Sequence, residues 1–320
     1  MTEEVLIIRH GALGDLVQST GPMAAIRKHH ADARITLLTT PAFHNFMEAC
    51  PWIDRIWLDE RPKWNQVRRW WLLFKCLREG GFSRVYDLQT SGRSSLYLRA
   101  FSFGERPEWS GIAAGASHPH ANAARDSMHT LARQSEQLRF AGIDHVPPPD
   151  LSWAAAEAAA FDLPERYALL IPGGSAHRPE KRWPAACYAE VADLLSECAV
   201  TPVLVGGADE RDLAREIAGR AGSATIDLTG RTTLFDLAGL ADGALLALGN
   251  DTGPAHVVAV SGAPTLTLFS GASDPALCAP VGQRVAVLRH DPLLELSVGR
   301  VWTEMLALQP QIERSASQDC

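Results

Sequence analysis

Val5-Leu6-Ile7-Ile8-Arg9-His10-Gly11-Ala12-Leu13-Gly14-Asp15 decides the fold: an apolar, β-branched run ends in a glycine turn and passes into a run of helical period. A strand that turns directly into a helix begins a βα unit, and such units assemble around parallel sheets. The same alternation recurs outward from it. In the first half, strands are expected at Val5–Arg9, Ile35–Thr39, Arg55–Leu58 and Arg84–Asp87, with helices after Asp15, Pro41 and Trp64 and again near Ser127–Ala141. The second half restarts the pattern. Its strands are expected at Ala168–Ile171, Pro202–Val205, Ala224–Asp227, Gly243–Leu248 and Thr265–Phe269, with helices after Pro184, Glu210, Leu234 and Pro254. Between the halves stand Pro147-Pro148-Pro149, a stiff run without amide donors that reads as a linker. The expectation is an α/β protein of two domains, residues 1–150 and 151–320.

The 320 residues carry 30 Lys+Arg against 37 Asp+Glu, a net charge of −7, with 46% hydrophobic and 21% charged residues. That balance belongs to a folded globular chain and argues against disorder and against a dedicated duplex nucleic-acid binder. The six cysteines, at 50, 76, 187, 198, 278 and 320, form no Cys-x-x-Cys pair, so neither a disulfide framework nor a zinc knuckle is expected. Acids open the chain where a secretory signal carries positive charge, and no uninterrupted apolar run reaches the roughly 18 residues of a spanning helix. A cytoplasmic protein is expected.

In open parallel sheets ligands bind beyond the carboxyl ends of the strands, so the strand-to-helix loops are where chemistry belongs. In the first, two glycines let a ligand approach the backbone and Asp15 lies near a helix start, where an ordinary N-cap is the competing reading. Its glycine spacing does not fit Gly-x-Gly-x-x-Gly, and the second strand ends in Thr39-Thr40 instead of the acid that holds an NAD ribose, which weakens an oxidoreductase. The second loop, Pro172–Pro184, sets Gly174, Ser175, His177, Arg178, Lys181 and Arg182 ahead of a helix that Pro184 can start. Glycines, a hydroxyl and cations at a positive helix end describe a phosphate cradle; a solvated basic loop anchored by Trp183 is the equal alternative. The third, Gly249-Asn250-Asp251-Thr252-Gly253-Pro254-Ala255-His256, is a second anion-capable helix start, with His256 either toward the ligand or partly buried. The fourth, Gly206-Gly207-Ala208-Asp209-Glu210, offers an acid for ribose hydroxyls or merely for the helix dipole.

Other signatures are absent. The chain has no P-loop, no Gly-x-Ser-x-Gly elbow and no Asp-x-Asp, so a departing diphosphate would be neutralised by Lys181, neighbouring cations and helix ends. His118-Pro119-His120 has no third ligand nearby, which argues against a metal site. Five of the nine tryptophans lie between Trp52 and Trp71, and Arg61–Arg78 carries six cations and no acid. Val67, Trp70, Trp71, Phe74 and Leu77 share a helical face expected to pack on the first sheet, with the cations as its solvated side. Contact with anionic lipid or a phosphorylated glycolipid is the second reading of that segment.

Together the motifs resemble the heptosyltransferases of glycosyltransferase family 9. The resemblance rests on Ile8-Arg9-x-x-x-Leu13-Gly14-Asp15, Glu180-Lys181-Arg182-Trp183-Pro184, and Asp251-Thr252-Gly253-Pro254-x-His256 followed by Leu268-Phe269-x-Gly271-x-x-Asp274-Pro275. It implies a GT-B fold: two Rossmann-like domains with parallel sheets facing across a cleft, the N-terminal one for the acceptor and the C-terminal one for the nucleotide sugar. It implies inverting, metal-independent transfer of a heptose or related sugar from an ADP-sugar such as ADP-heptose to a lipopolysaccharide inner-core or other glycan acceptor. No cofactor is implied.

In the family's terms Asp15 is the general base, Lys181 the phosphate ligand, Glu210 the ribose ligand and Thr232 a neighbour of adenine. Asp251, Thr252, Gly253 and His256 contact diphosphate and sugar, and Gly174, Ser175, His177 and Arg178 complete a phosphate loop. His10, Gly11, Gly14, Arg61, Arg68 and Arg69 fall on the acceptor side. The implied partner is a phosphorylated glycolipid or glycan, with a peripheral contact at the inner face of the inner membrane and no nucleic acid. The chain departs from the best-studied members at Gly11-Ala12, where they carry two serines, and at Ala176-His177, where hydroxyls often precede the lysine. Two readings compete: a nucleotide-sugar 2-epimerase of the same two-domain layout, and a non-catalytic ADP-sugar-binding protein.

Overall fold

The computed structural model describes residues 2–101, 106–155, 161–174 and 177–315. The chain divides into two compact units, Met1–Trp153 and Ala154–Cys320. In the first, the elements run β1 (Glu4–Ile8), α1 (Leu13–Gln18), α2 (Thr20–His29), β2 (Arg34–Thr39), α3 (His44–Glu48), β3 (Arg55–Leu58), α4 (Val67–Glu79), β4 (Arg84–Asp87), α5 (Gly92–Leu96), β5 (Glu108–Gly111), β6 (His118–Pro119) and α6 (Thr130–Phe140). In the second they run β7 (Tyr167–Ile171), α7 (Ala185–Glu197), β8 (Thr201–Leu204), α8 (Arg211–Arg220), β9 (Ile226–Asp227), α9 (Leu234–Gly243), β10 (Leu246–Asn250), α10 (Gly253–Val260), β11 (Thr265–Phe269), α11 (Pro275–Cys278), β12 (Val285–Arg289) and α12 (Val298–Leu308).

Each unit holds a six-stranded sheet, in the orders β3-β2-β1-β4-β5-β6 and β12-β11-β10-β7-β8-β9. Every pairing is parallel, with Ile8 level with Leu38 and Asp87, and Leu248 level with Leu170 and Leu266. Counted from its own first strand, each sheet has the doubly wound order 3-2-1-4-5-6, so the direction of winding reverses between β1 and β4 and again between β7 and β10. Val5, Leu6, Ile7 and Ile8 point alternately to the two faces and are all fully buried, so both faces of the first sheet are covered. The second core gathers Leu170, Leu204, Leu248 and Leu268 with Tyr188, Val191 and the fully buried Trp183.

Three expectations are revised. The prolines 147–149 belong to the first unit and lie against α2: a side chain on Gly21 would stand 2.2 Å from the Pro147 carbonyl oxygen, so only glycine admits them. On α4 the packed residues are Trp70, Leu73, Phe74 and Leu77, while Val67 and Trp71, expected on that face, are 72% and 54% exposed. Trp71 lies about 100° round the helix from Trp70, past the edge of the sheet-facing stripe. The prolines before α7 and in α10 also sit one place from the expected first helical position, Pro184 just outside and Pro254 just inside.

Candidate active site

At the winding reversal of the second unit lies a cavity of about 440 Å³ lined by Gly173, Gly174, Arg178, Lys181, Glu210, Asp251, Thr252, Gly253 and neighbours. Three of the four loops singled out by sequence thus meet at one place. Asn250 ties them together. Fully buried at the end of β10, it donates from Nδ2 to the Pro172 and Gly173 carbonyls at 2.9 and 3.1 Å and accepts at Oδ1 from Trp183 N–H at 3.1 Å and Tyr188 OH at 3.2 Å.

Glu210 performs the same service from the β8 side. Its Oε1 accepts from Gly174 N–H and its Oε2 from Gly207 N–H, both at 2.9 Å. A Cβ on Gly173 or Gly206 would come within 1.8 or 2.4 Å of that carboxylate, which is why glycine stands at both positions. Each oxygen keeps a lone pair for a ligand hydroxyl.

Lys181 Nζ lies 2.6 Å from Asp251 Oδ2, which also accepts from Ser273 Oγ at 2.7 Å. An ammonium has three protons, so Lys181 can keep Asp251 and still reach an anion. Arg182 turns away, its guanidinium bonded to the Gly174 carbonyl as a buttress of the loop. Thr252 is the N-cap residue of α10 by backbone position, yet no side chain caps α10 or α7. Thr252 and Gly253 bring the open start of α10 to the cavity wall, so its first amides are available to a phosphate. His177 is exposed, His256 is buried in α10, and Thr232 stands just before α9; none of the three lines the cavity. Ser175 lies outside the described residues.

In the first unit the loop after β1 meets the loop after β4, again at the winding reversal. Arg9, buried, donates to the Leu88 carbonyl at 2.7 Å and pairs through Nη2 with Asp15 Oδ1 at 3.0 Å. Burial lowers the guanidinium's pKa, and Asp15 opposes that fall. Asp15 is the third residue of α1, whose N-cap is Ala12, so the ordinary capping role does not account for it. Its side chain remains 39% exposed. Gly11, at φ +113°, would place a Cβ 2.5 Å from the Phe43 ring, so the tight turn ahead of Asp15 requires glycine.

His10 is buried, its Nε2 3.3 Å from Asp59 Oδ2. Burial pushes its pKa down to about 4, against the pull of Asp59. Asp59 is itself buried and accepts from Tyr97 OH and from the Arg61 N–H, with Arg93 Nε 3.5 Å away. Asp87, at the end of β4, is fully buried, and burial raises its pKa to about 7. Gly14 is buried in α1, Arg69 pairs with Glu60 at 3.0 Å, and Arg61 and Arg68 are exposed. Among the described residues no three His, Cys, Asp or Glu side chains cluster closely enough to hold a metal ion.

Residues 70–296 match the family model of glycosyltransferase family 9, the heptosyltransferases. The chain belongs to that family. It is a glycosyltransferase, and its two Rossmann-like units are those of the GT-B fold. Among family relatives, the lipopolysaccharide core heptosyltransferase OpsX of Haemophilus influenzae is 22% identical over 84% of this chain and 79% of its own length. The solved ADP-heptose lipopolysaccharide heptosyltransferase II of Escherichia coli has a TM-score of 0.77 at 22% identity, covering 97% of this chain and 99% of that one. Escherichia coli heptosyltransferase WaaC, solved with ADP-2-deoxy-2-fluoro heptose, has a TM-score of 0.74 at 18% identity, covering 95% and 99%.

Sequence reasoning overlooked four members of these sites. Asn250 and Arg9 stood inside quoted motifs without a role, and Asp59 and Ser273 carried no local signal. Asn250 ends the apolar strand β10, and a polar residue at that border is the one cue that pointed to it.

Proposed function

We propose that the chain transfers a heptose from ADP-heptose to a phosphorylated glycolipid acceptor by single displacement with inversion, the second unit holding the donor and the first the acceptor. The observation that carries this reading is the cavity at the β7/β10 reversal, where Lys181, Arg178, the uncapped start of α10 and the Glu210 carboxylate converge. Cations and helix amides meet the diphosphate, and Glu210 has lone pairs for ribose hydroxyls. An ionised Asp15 takes the proton of an acceptor hydroxyl as that oxygen attacks the anomeric carbon; the bond from that carbon to the phosphate oxygen breaks, and ADP departs with its charge balanced by Lys181 and Arg178.

The donor class is tested by thermal shift with ADP, UDP and GDP, since only a ligand of the native state raises its apparent stability. ADP alone is expected to give a shift; an equal response to UDP would overturn the assignment. Lys181→Ala is expected to weaken ADP binding by about 10-fold or more in calorimetry, because one charge-assisted contact is lost and Asp251 is left partly buried beside the diphosphate. Unchanged affinity would remove Lys181 from the site. Turnover is expected to persist in chelator; activity lost there and restored by Mg²⁺ would show that a metal, not these cations, balances the leaving group.

A further inference from the structure

The cation that holds Asp15 also faces a second acid. Asp87 ends β4 level with Ile8, so Arg9 leaves β1 beside it. Arg9 is buried: Nη1 bonds the Leu88 carbonyl, Nη2 lies 3.0 Å from Asp15 Oδ1, and Nε has no hydrogen-bond partner among the described residues. Burial works against its charge; Asp15 and, less strongly, Asp87 work for it, and Arg133 works against it. One buried guanidinium thus answers to two carboxylates, Asp15 partly exposed and Asp87 not exposed at all.

Asp87 lacks the surroundings of a permanently ionised acid. A buried carboxylate ordinarily has an ion-pair partner and hydrogen bonds on both oxygens. Here Oδ1 accepts from the Thr90 N–H at 3.0 Å, while Oδ2 is buried without a partner and Asp87 makes no ion pair among the described residues. Thr90 holds φ +42°, which a β-branched residue seldom adopts, with its N–H on Asp87 and its hydroxyl on Arg125 at 3.0 Å. Oδ1 can anchor that turn in either protonation state, and the orphan Oδ2 is the seat for a proton.

The other groups around Asp87 are mostly neutral. Ser94 faces it from α5, Gly111 on β5 is so close that a Cβ there would stand 3.0 Å from the Asp87 Cβ, and Gln137 of α6 donates to its carbonyl at 3.0 Å. The charged or titratable groups of the cluster are Arg9 and His10 after β1, Asp15 on α1, Arg133 on α6, and the paired Arg125 and Asp126. His10, its pKa pushed down to about 4 by burial, is neutral near pH 7. Burial raises the pKa of Asp87 to about 7, against the polar groups of Ser94, Thr90 and Gln89 and the charge of Arg9.

We propose that Asp87 is a positioning residue for the transfer: through Arg9 it sets how tightly Asp15 is held, fastening it when protonated and releasing it when ionised. The proposal rests on the general-base reading of Asp15. With Asp87 neutral, the guanidinium has one carboxylate to serve and draws the negative charge of Asp15 toward itself. With Asp87 ionised, the same cation is shared at low dielectric, and Asp15 is freer to take the proton of the acceptor hydroxyl. Asp87 gives its own proton to water and touches no substrate.

The test follows the carboxyl carbons of the full chain, labelled with ¹³C-aspartate, by NMR from about pH 5 to about pH 9 without donor or acceptor. It is therefore read separately from any failure of the proposed reaction. One carboxyl is expected to titrate near neutrality and to be missing from Asp87→Asn. Its titration is expected to appear as a step in the Asp15 resonance, which is assigned by its loss in Asp15→Asn. With saturating donor, wild-type kcat is expected to rise ~5–10-fold through the same range and to stay low and flat in Asp87→Asn, with donor KM unchanged. A merely structural aspartate would lower kcat alike at every pH and leave the rise in place. The proposal is overturned if no wild-type carboxyl titrates near neutrality, if the Asp15 resonance is blind to that titration, or if Asp87→Asn keeps the wild-type rise. The first two are read on chains that retain Asp87, so they decide the matter even where Asp87→Asn fails to fold.

Discussion

Asp15→Asn is expected to lower kcat by ~10²–10⁴-fold while leaving ADP affinity and thermal stability close to wild type, the loss typical of a removed general base. Three carboxylates stand near the winding reversal of the first sheet, and their surroundings separate them. Asp87 is fully buried, and its pKa is raised to about 7 by that burial. Asp59 is buried among Tyr97, His10 and Arg93. Neither can touch a substrate hydroxyl. Asp15 is 39% exposed, on a helix whose entry is fixed by Gly11, and Arg9 holds its Oδ1 so that Oδ2 remains for a proton. Asparagine keeps the shape and an oxygen for Arg9 and removes only the basicity. A loss of that size corresponds to about 3–5 kcal/mol of transition-state free energy. Near-wild-type turnover in Asp15→Asn, measured with saturating donor, would end the general-base role; a fall in ADP affinity instead would make the residue structural.

The strands flanking both reversals were legible because burial on both faces forces continuous apolar runs, as in Val5–Ile8 and Leu246–Leu248. Of the edge strands, β3 was legible as Arg55–Leu58 and β9 fell within Ala224–Asp227, whereas β6, the dipeptide His118-Pro119, and β12, with exposed Val287 and Arg289, were not. A short or partly exposed edge has no reason to be uniformly apolar, so its pattern merges with loop; the internal β5, Glu108-Trp109-Ser110-Gly111, was missed because Ser110 and Gly111 break its apolar run. The strand expected at Gly243–Leu248 begins at Leu246 because α9 runs on to Gly243, where a side chain would stand 2.7 Å from Tyr167 Oη. Chemistry was legible wherever it sat in one loop. Glu210 was weak as an isolated acid and became informative only when the fold set its carboxylate on the amides of Gly174 and Gly207. On α4 the sheet-facing side was found through Trp70, Phe74 and Leu77, but Val67 and Trp71 were wrongly added to it, because periodicity does not mark where a packed stripe ends.

Asn250→Asp is expected to destabilise the second unit by about 3–5 kcal/mol and to weaken ADP binding with it. The amide of Asn250 uses its full capacity, two donated and two accepted hydrogen bonds, and does so with no exposure at all. Aspartate has the same shape with the wrong valence. Ionised, it turns an oxygen toward the carbonyls of Pro172 and Gly173 at a fully buried position; protonated, it can satisfy one of them and leaves the other unpaired. Those two carbonyls begin the loop that carries Gly174, Arg178 and Lys181, and the Trp183 N–H on the opposite side of the amide ends it. Loosening Asn250 therefore displaces the phosphate-binding side chains together, an effect no single-contact deletion would produce. Urea unfolding followed by circular dichroism, with calorimetry of ADP on the same samples, reads both quantities. Stability within about 0.5 kcal/mol of wild type, the usual range of an inconsequential substitution, would show that the loop is held by Glu210 and Arg182 without it.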